Sequence, residues 1–388
     1  MYQTIENKTK IDINKLSTFR KNLHQQPEVS GHEVNTAKMV NNYLQNCQTT
    51  EIISNVGGHG ILAIWDSGLP GETILFRAEL DALPIQEIND FAHKSMFDGV
   101  SHKCGHDGHA TILCGMADYL AENPPTKGKV VLLFQPAEEN GEGAIAMLND
   151  PKFQQISPDF VFALHNLPGY PLGQIVVKDD SFTAAVNSII IKLKGKTAHA
   201  AEPENGINPA LAVADIIKTS LSIENNRPEK DDMSVITPVF ISLGEKAYGI
   251  SADEAEIHFT LRCWNNINLR QLEKNIEDIS NIIARQYKLK VSFEYTQTFD
   301  ANINHPKAVQ YVRQSAELKN FKTKERPFPF KWGEDFGAFT SKFKGCMFGL
   351  GAGEEMAALH NPDYDFPDEL IEYGVEIFSG IKESILND

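Results

Sequence analysis

Three apolar runs constrain this chain most. Thr73-Ile74-Leu75-Phe76-Arg77-Ala78, Lys129-Val130-Val131-Leu132-Leu133-Phe134 and Phe160-Val161-Phe162-Ala163-Leu164 are short and nearly continuous in hydrophobicity. Such runs read as strands buried on both faces. Helix-patterned stretches separate them, which predicts an α/β fold: a mostly parallel sheet with helices on both faces. Each run then delivers chemistry. The first leads to Glu79 and Asp81, the second to Glu138 and Glu139, the third to His165. In open sheets of this kind, ligands gather at the carboxyl ends of the strands.

Between the first two runs lies Ser101-His102-Lys103-Cys104-Gly105-His106-Asp107-Gly108-His109, read as a loop feeding a helix from His109 to Asn123. Imidazole, thiolate and carboxylate are the side chains that hold first-row transition metals. Gly105 and Gly108 let the backbone bend where a bulkier residue would clash. Alone, the tract is equally a His-rich surface loop. The carboxylates and the histidine placed downstream raise the metal reading above it.

The rest of the chain divides by pattern. Helices are expected at Ile13 to Gln26 and Glu33 to Cys47, and His24, near the end of the first, reads as a solvated residue favoured by the helix dipole. From about Ala185 the period changes. Strands at Asn187 to Lys194, Ser234 to Leu243, Ala255 to Cys263 and Lys288 to Thr296 alternate with helices at Asn208 to Leu221 and Leu269 to Gln286. That β-α-β-β-α-β order is ferredoxin-like. The expected division is a catalytic domain of residues 1–184 and 298–388 and an inserted domain of residues 185–297.

Composition excludes several classes. The 388 residues carry a net charge of −16 and a sequence pI near 5.2, which argues against nucleic acid as a partner. No run approaches the ~20 apolar residues that span a bilayer, and the opening residues lack a signal-type apolar core. The five cysteines, Cys47, Cys104, Cys114, Cys263 and Cys346, are odd in number and scattered, the usage of a reducing cytoplasm. Val56-Gly57-Gly58-His59-Gly60 is too short, and lacks the following helix, for a dinucleotide-binding turn.

Several segments together resemble a known family. Leu80-Asp81-Ala82-Leu83-Pro84, Cys104-Gly105-His106-Asp107-Gly108-His109, Gln135-Pro136-Ala137-Glu138-Glu139, Leu164-His165-Asn166 and Leu359-His360-Asn361-Pro362 are similar, in order, to the motifs of the amidohydrolase branch of the aminoacylase/carboxypeptidase metallopeptidases. That branch includes hippurate hydrolases, indole-acetyl-amino-acid hydrolases and N-acetyl-diaminopimelate deacetylases. Arg20 to Glu28 resembles its opening helix.

The resemblance implies a zinc-exopeptidase-like catalytic domain holding two divalent metal ions. Their ligands would be Cys104, His106, Glu139, His165 and His360. Zinc is favoured by the thiolate and imidazoles, with manganese, cobalt and nickel as alternatives. Glu138 would be the general base and Asp81 the carboxylate that orients a ligand imidazole. His199 would cover the active site from the other subunit of a homodimer, and Arg262 would meet the substrate. Gly249 stands where many members have an Asn, which bears on substrate preference. The implied activity is hydrolysis, by metal-activated water, of the amide of a small N-acyl amino acid or related short substrate. The alternatives are a dipeptidase or carboxypeptidase on the same scaffold, or a catalytically silent metal-binding protein; a binding protein would have no need of Glu138.

Overall fold

A computed structural model describes residues 11–386. The reading of the chain's start falls largely on residues 1–10, outside the described residues. The chain forms two compact units: Thr183–Ala301 with Phe328–Glu334 make one, and the remaining described residues make the other.

The larger unit is built on an eight-stranded mixed sheet. Its order is Glu51–Val56, Gly60–Asp66, Lys129–Gln135, Thr73–Glu79, Phe160–Pro168, Lys344–Gly353, Ile175–Val177, Thr323–Glu325. Its four central strands, from Lys129–Gln135 to Lys344–Gly353, run parallel, and antiparallel pairing appears only towards the edges. The apolar runs occupy that centre because they bury both faces. Ile74, Phe76 and Ala78 join a core with the helices Ile13–Gln25, His106–Glu122, Pro306–Leu318 and Leu370–Leu386, while Leu75 and Arg77 on the opposite face are equally buried. Ile175–Val177 and Thr323–Glu325 were not anticipated; three residues are too few to show a period.

Two departures bear on the site. The helix after the Cys/His tract begins at His106, three residues earlier than its periodicity indicates. Gly105 precedes it with φ of 96°, a conformation costly for any residue with a Cβ, and a Cβ there would come within 2.8 Å of the Asn166 side chain. Gly108 faces the ring of Phe366, which a Cβ would meet at 2.3 Å. Both glycines are therefore set by close packing of the tract.

The smaller unit has a four-stranded antiparallel sheet ordered Ser234–Leu243, Glu254–Cys263, Ala185–Lys194, Lys290–Phe299. The helices Ala210–Ser222 and Asn266–Gln286 pack on it through Ile189, Ile191, Ile257, Phe259, Ile216 and Ile276. A two-residue ladder pairs His199 with Ile250. Among the described residues, no helix is long and apolar enough to cross a membrane.

Candidate metal centre

Parallel strands bring the polar residues to one edge of the larger unit's sheet. Thr73–Glu79 and Lys129–Gln135 run in register, Glu79 opposite Gln135, so the segments leaving them lie side by side. The Leu80 N–H donates to the Gln135 carbonyl at 2.8 Å, and the Glu139 N–H donates to Asp81 Oδ2 at 2.9 Å. Phe160–Pro168 lies on the other side of Thr73–Glu79 and carries His165. The helix start sets His106 over this edge.

Cys104, His106 and His165 then form one group, Cys104, Glu139 and His360 a second, and His106, Glu138 and Glu139 a third, with ligand atoms inside each group all within 4.8 Å of one another. Cys104 Sγ is 3.6 Å from His165 Nε2. His106 Nε2 is 3.9 Å from both Glu138 Oε2 and Glu139 Oε1. His360 Nε2 is 3.7 Å from Glu139 Oε2. The three imidazole–carboxylate spacings are too long for hydrogen bonds. The 3.6 Å Cys104–His165 and 3.7 Å His360–Glu139 spacings match ligand atoms sharing one ion, because two ligands at ~2.0–2.3 Å and a tetrahedral angle sit roughly 3.3–3.8 Å apart.

The imidazoles are oriented from behind. His106 Nδ1 donates to the Asp81 carbonyl at 2.9 Å and lies 3.3 Å from Asp81 Oδ1. That leaves His106 Nε2 buried with no hydrogen-bond partner among the described residues. His165 Nδ1 donates to the Asn166 carbonyl at 2.9 Å, which turns Nε2 towards Cys104. Fixing one ring nitrogen to define the other is how ligand histidines are held. Burial, with His109 adding to it, pushes His165 down to about 3, so its lone pair is available. His106 behaves oppositely. Burial lowers it, but the hydrogen bond to Asp81 and the charges of Glu79, Glu139 and Asp81 outweigh that and raise it to about 10. The pocket stabilises positive charge at that point, and the donor set suits a cation.

The other site residues are placed as follows. Glu138 is 5% exposed and Asp81 is fully buried, its Oδ2 also accepting from Ser30 Oγ at 2.6 Å. Burial pushes the Asp81 carboxyl up, yet the hydrogen bond from His106 and its charge hold it below the usual range. His360 has φ of 65° and donates its N–H to the Lys103 carbonyl at 2.8 Å. His199 and Arg262 belong to the smaller unit. His199 is exposed, and its Nδ1 accepts from the Ala201 N–H at 3.1 Å. Arg262 donates to the Lys331 carbonyl at 2.7 Å.

Some residues the sequence left aside are built into the support. Glu79 is fully buried, paired with Arg77, and accepts from His109 Nδ1 at 2.7 Å, while His109 Nε2 accepts the Asn166 N–H at 3.2 Å. Arg77 also meets Gln135 at 2.9 Å and Asp335 at 2.6 Å. His24 is corrected: it is buried, not solvated, lying on the same helix face as Leu16, Arg20 and Leu23. Its Nδ1 donates to Asp107 at 2.8 Å and its Nε2 to Glu87 at 3.1 Å. Burial lowers its pKa, but Asp107 and Glu87 prevail and raise it to about 9.

The mixed α/β fold thus gathers candidate metal-ligand groups at the ends of parallel strands, the arrangement of a metal-dependent enzyme. The profile of peptidase family M20/M25/M40 matches residues 75–383, and the chain belongs to that family. It is 31% identical to an N-acetyldiaminopimelate deacetylase of Enterococcus faecalis, over 97% of this chain and 99% of that protein. Identity to a hippurate hydrolase of Campylobacter jejuni is also 31%, over 91% and 92%. The crystal structure of the Bacillus subtilis YXEP protein, a dinuclear metal binding peptidase from the M20 family, superposes with a TM-score of 0.82 at 26% identity, covering 97% of this chain and 98% of that one. The chain is accordingly a hydrolase of amide bonds.

Proposed function

We propose that this chain is a dinuclear metal-dependent amidohydrolase that splits a small N-acyl amino acid into the amino acid and a carboxylic acid. The observation that carries the reading is the pair of ligand groups sharing Cys104, with the buried Glu138 beside them. Cys104, His106 and His165 would hold one ion and Cys104, Glu139 and His360 the other, zinc being favoured by thiolate and imidazole. Such a pair, when bound, would supply Lewis-acid polarisation of the scissile carbonyl and lower the pKa of a water. Glu138 would act as the general base, taking the proton of the attacking water and passing it to the leaving nitrogen. Asp81 keeps His106 in the tautomer that presents Nε2.

The remaining roles are assigned to the smaller unit, as a lid and dimerisation domain. His199 accepts at Nδ1, so its proton sits on Nε2, the form that donates to a developing oxyanion. We assign it to the active site of the partner subunit. Arg262 would bind the substrate carboxylate. A homodimer is supported by the strand Ser234–Leu243, which lies at a sheet edge and exposes Val239, Phe240, Ile241 and Leu243. A cytoplasmic site of action is supported by five buried cysteines with no disulfide. The names of the relatives point to acylated amino acids as substrates.

The test is a hydrolysis panel of N-acetyl amino acids, N-benzoyl amino acids and dipeptides, with metal content measured in parallel. Metal-dependent release from the acylated compounds is expected. Turnover of dipeptides alone would move the assignment to a dipeptidase, and turnover without metal would overturn it.

A further inference from the structure

The loop that presents Glu138 contains an anomaly. Ala137, immediately before it, has φ of 53°, although it carries a Cβ. Residues other than Gly reach that region only at a cost, and persist there when the surroundings over-determine them. The restraint is visible. The Ala137 N–H donates to Glu33 Oε1 at 2.8 Å, and the Gly31 N–H donates to the same oxygen at 2.8 Å. The Ala137 carbonyl accepts from the Gly143 N–H at 2.9 Å, which closes the loop behind Glu138.

Glu33 is unusual in its own segment. Gly31 and His32 before it are exposed, yet Glu33 is fully buried, with its Oε2 lacking a hydrogen-bond partner among the described residues. Burying a carboxylate oxygen without a partner is unfavourable, so plain capping of the following helix is a poor reason for it; the side chain makes no cap hydrogen bond there. The same short segment reaches the residue after Glu138 as well. Ser30 Oγ donates to Asp81 Oδ2, and that oxygen accepts the Glu139 N–H. Glu138 is thus flanked by two backbone N–H groups, each held by a buried carboxylate tied to residues 30–33.

We propose that Glu33 is a positioning residue for the catalytic carboxylate: its side chain holds Ala137 in the left-handed conformation that sets the direction of Glu138. The proposal rests on the reading of Glu138 as the general base. A general base acts only over hydrogen-bond reach of the proton it takes, so release of Ala137 to an ordinary φ swings Glu138 away, while the Asp81 anchor on the Glu139 N–H keeps that ligand at the site.

The test uses the full-length, metal-loaded protein and an N-acyl amino acid that the wild type turns over. Glu33→Ala is expected to lower kcat by about 10²-fold, the scale of a small misplacement of a reacting group, with KM and metal content unchanged and faster hydrogen exchange at the Ala137 amide. Glu33→Gln keeps an acceptor for both N–H groups and is expected to retain most of the activity. The decisive variant is the double change Glu33→Ala with Ala137→Gly. Glycine adopts positive φ without cost, so the double variant should recover about tenfold in kcat over Glu33→Ala alone. A purely structural role for Glu33 gives no reason for that recovery. If Glu33→Ala does not fold, Glu33→Asp withdraws the carboxylate by one methylene and replaces it in both arms. Unchanged kcat in the single variant, or no recovery in the double, overturns the proposal. Glu138→Gln, run alongside, separates the two readings: near-normal turnover there removes the base itself, whereas exchange at Ala137 still reports whether Glu33 holds the loop.

Discussion

Glu138→Gln keeps the shape of the side chain and removes its ability to accept a proton. Turnover should fall by about 10²–10⁴-fold, the usual contribution of a general base, with metal content unchanged; kcat and metal analysis on the same preparation decide it. Single residues also mark where sequence reading stopped. The ligand-type residues were legible because their chemistry is rare and they follow buried strands. Ala137 and His360 carry positive φ but are not glycine, so nothing in the sequence announces their backbone. His24 was misread because a polar residue near a helix end is normally solvated; its burial depends on Asp107 and Glu87, both more than sixty positions away in the chain. That burial has a pH consequence. Its folded pKa of about 9 lies above the ordinary 6.5. The stabilisation is therefore complete below about pH 6.5 and is lost as pH rises through 9. It amounts to roughly 3–3.5 kcal/mol at most for a shift of this size. The groups facing His24 are Asp107, Glu87, Asp365, Arg20, His93 and His102. Denaturant unfolding between pH 6 and 10 should show the decline, and His24→Gln should flatten it.

At the scale of the element, the helix His106–Glu122 ties the site to the core. Its first residue is a candidate ligand, and its apolar residues pack on the sheet and on the closing helix Leu370–Leu386. Periodicity placed its start three residues late because His106, Asp107 and Gly108 are not apolar, though all three are buried. The start depends on Gly105. Gly105→Ala adds both a positive-φ penalty of roughly 1–2 kcal/mol and a Cβ against Asn166. The variant should melt several degrees lower and bind metal more weakly, as read by thermal unfolding with and without added zinc. A melting curve and zinc affinity equal to wild type would contradict the role given to that turn. The central strands were legible for a simple reason: strands buried on both faces read as unbroken apolar runs. The edge strands of three residues carry no such mark.

For the whole molecule, the proposed dimer makes a prediction that no single chain can meet. Glu138→Ala and His199→Ala should each be inactive. After subunit exchange, about half the dimers are mixed and each has one intact site, so roughly a quarter of wild-type activity should return. Verified exchange without recovery would remove His199 from the partner's active site. Whether two ions are held through Cys104 is decided by the metal content of the purified protein and of Cys104→Ala. The wild type should hold up to two equivalents of divalent metal and the variant should lose much of both, because Cys104 belongs to both ligand groups. Metal content unchanged by Cys104→Ala would contradict that shared role.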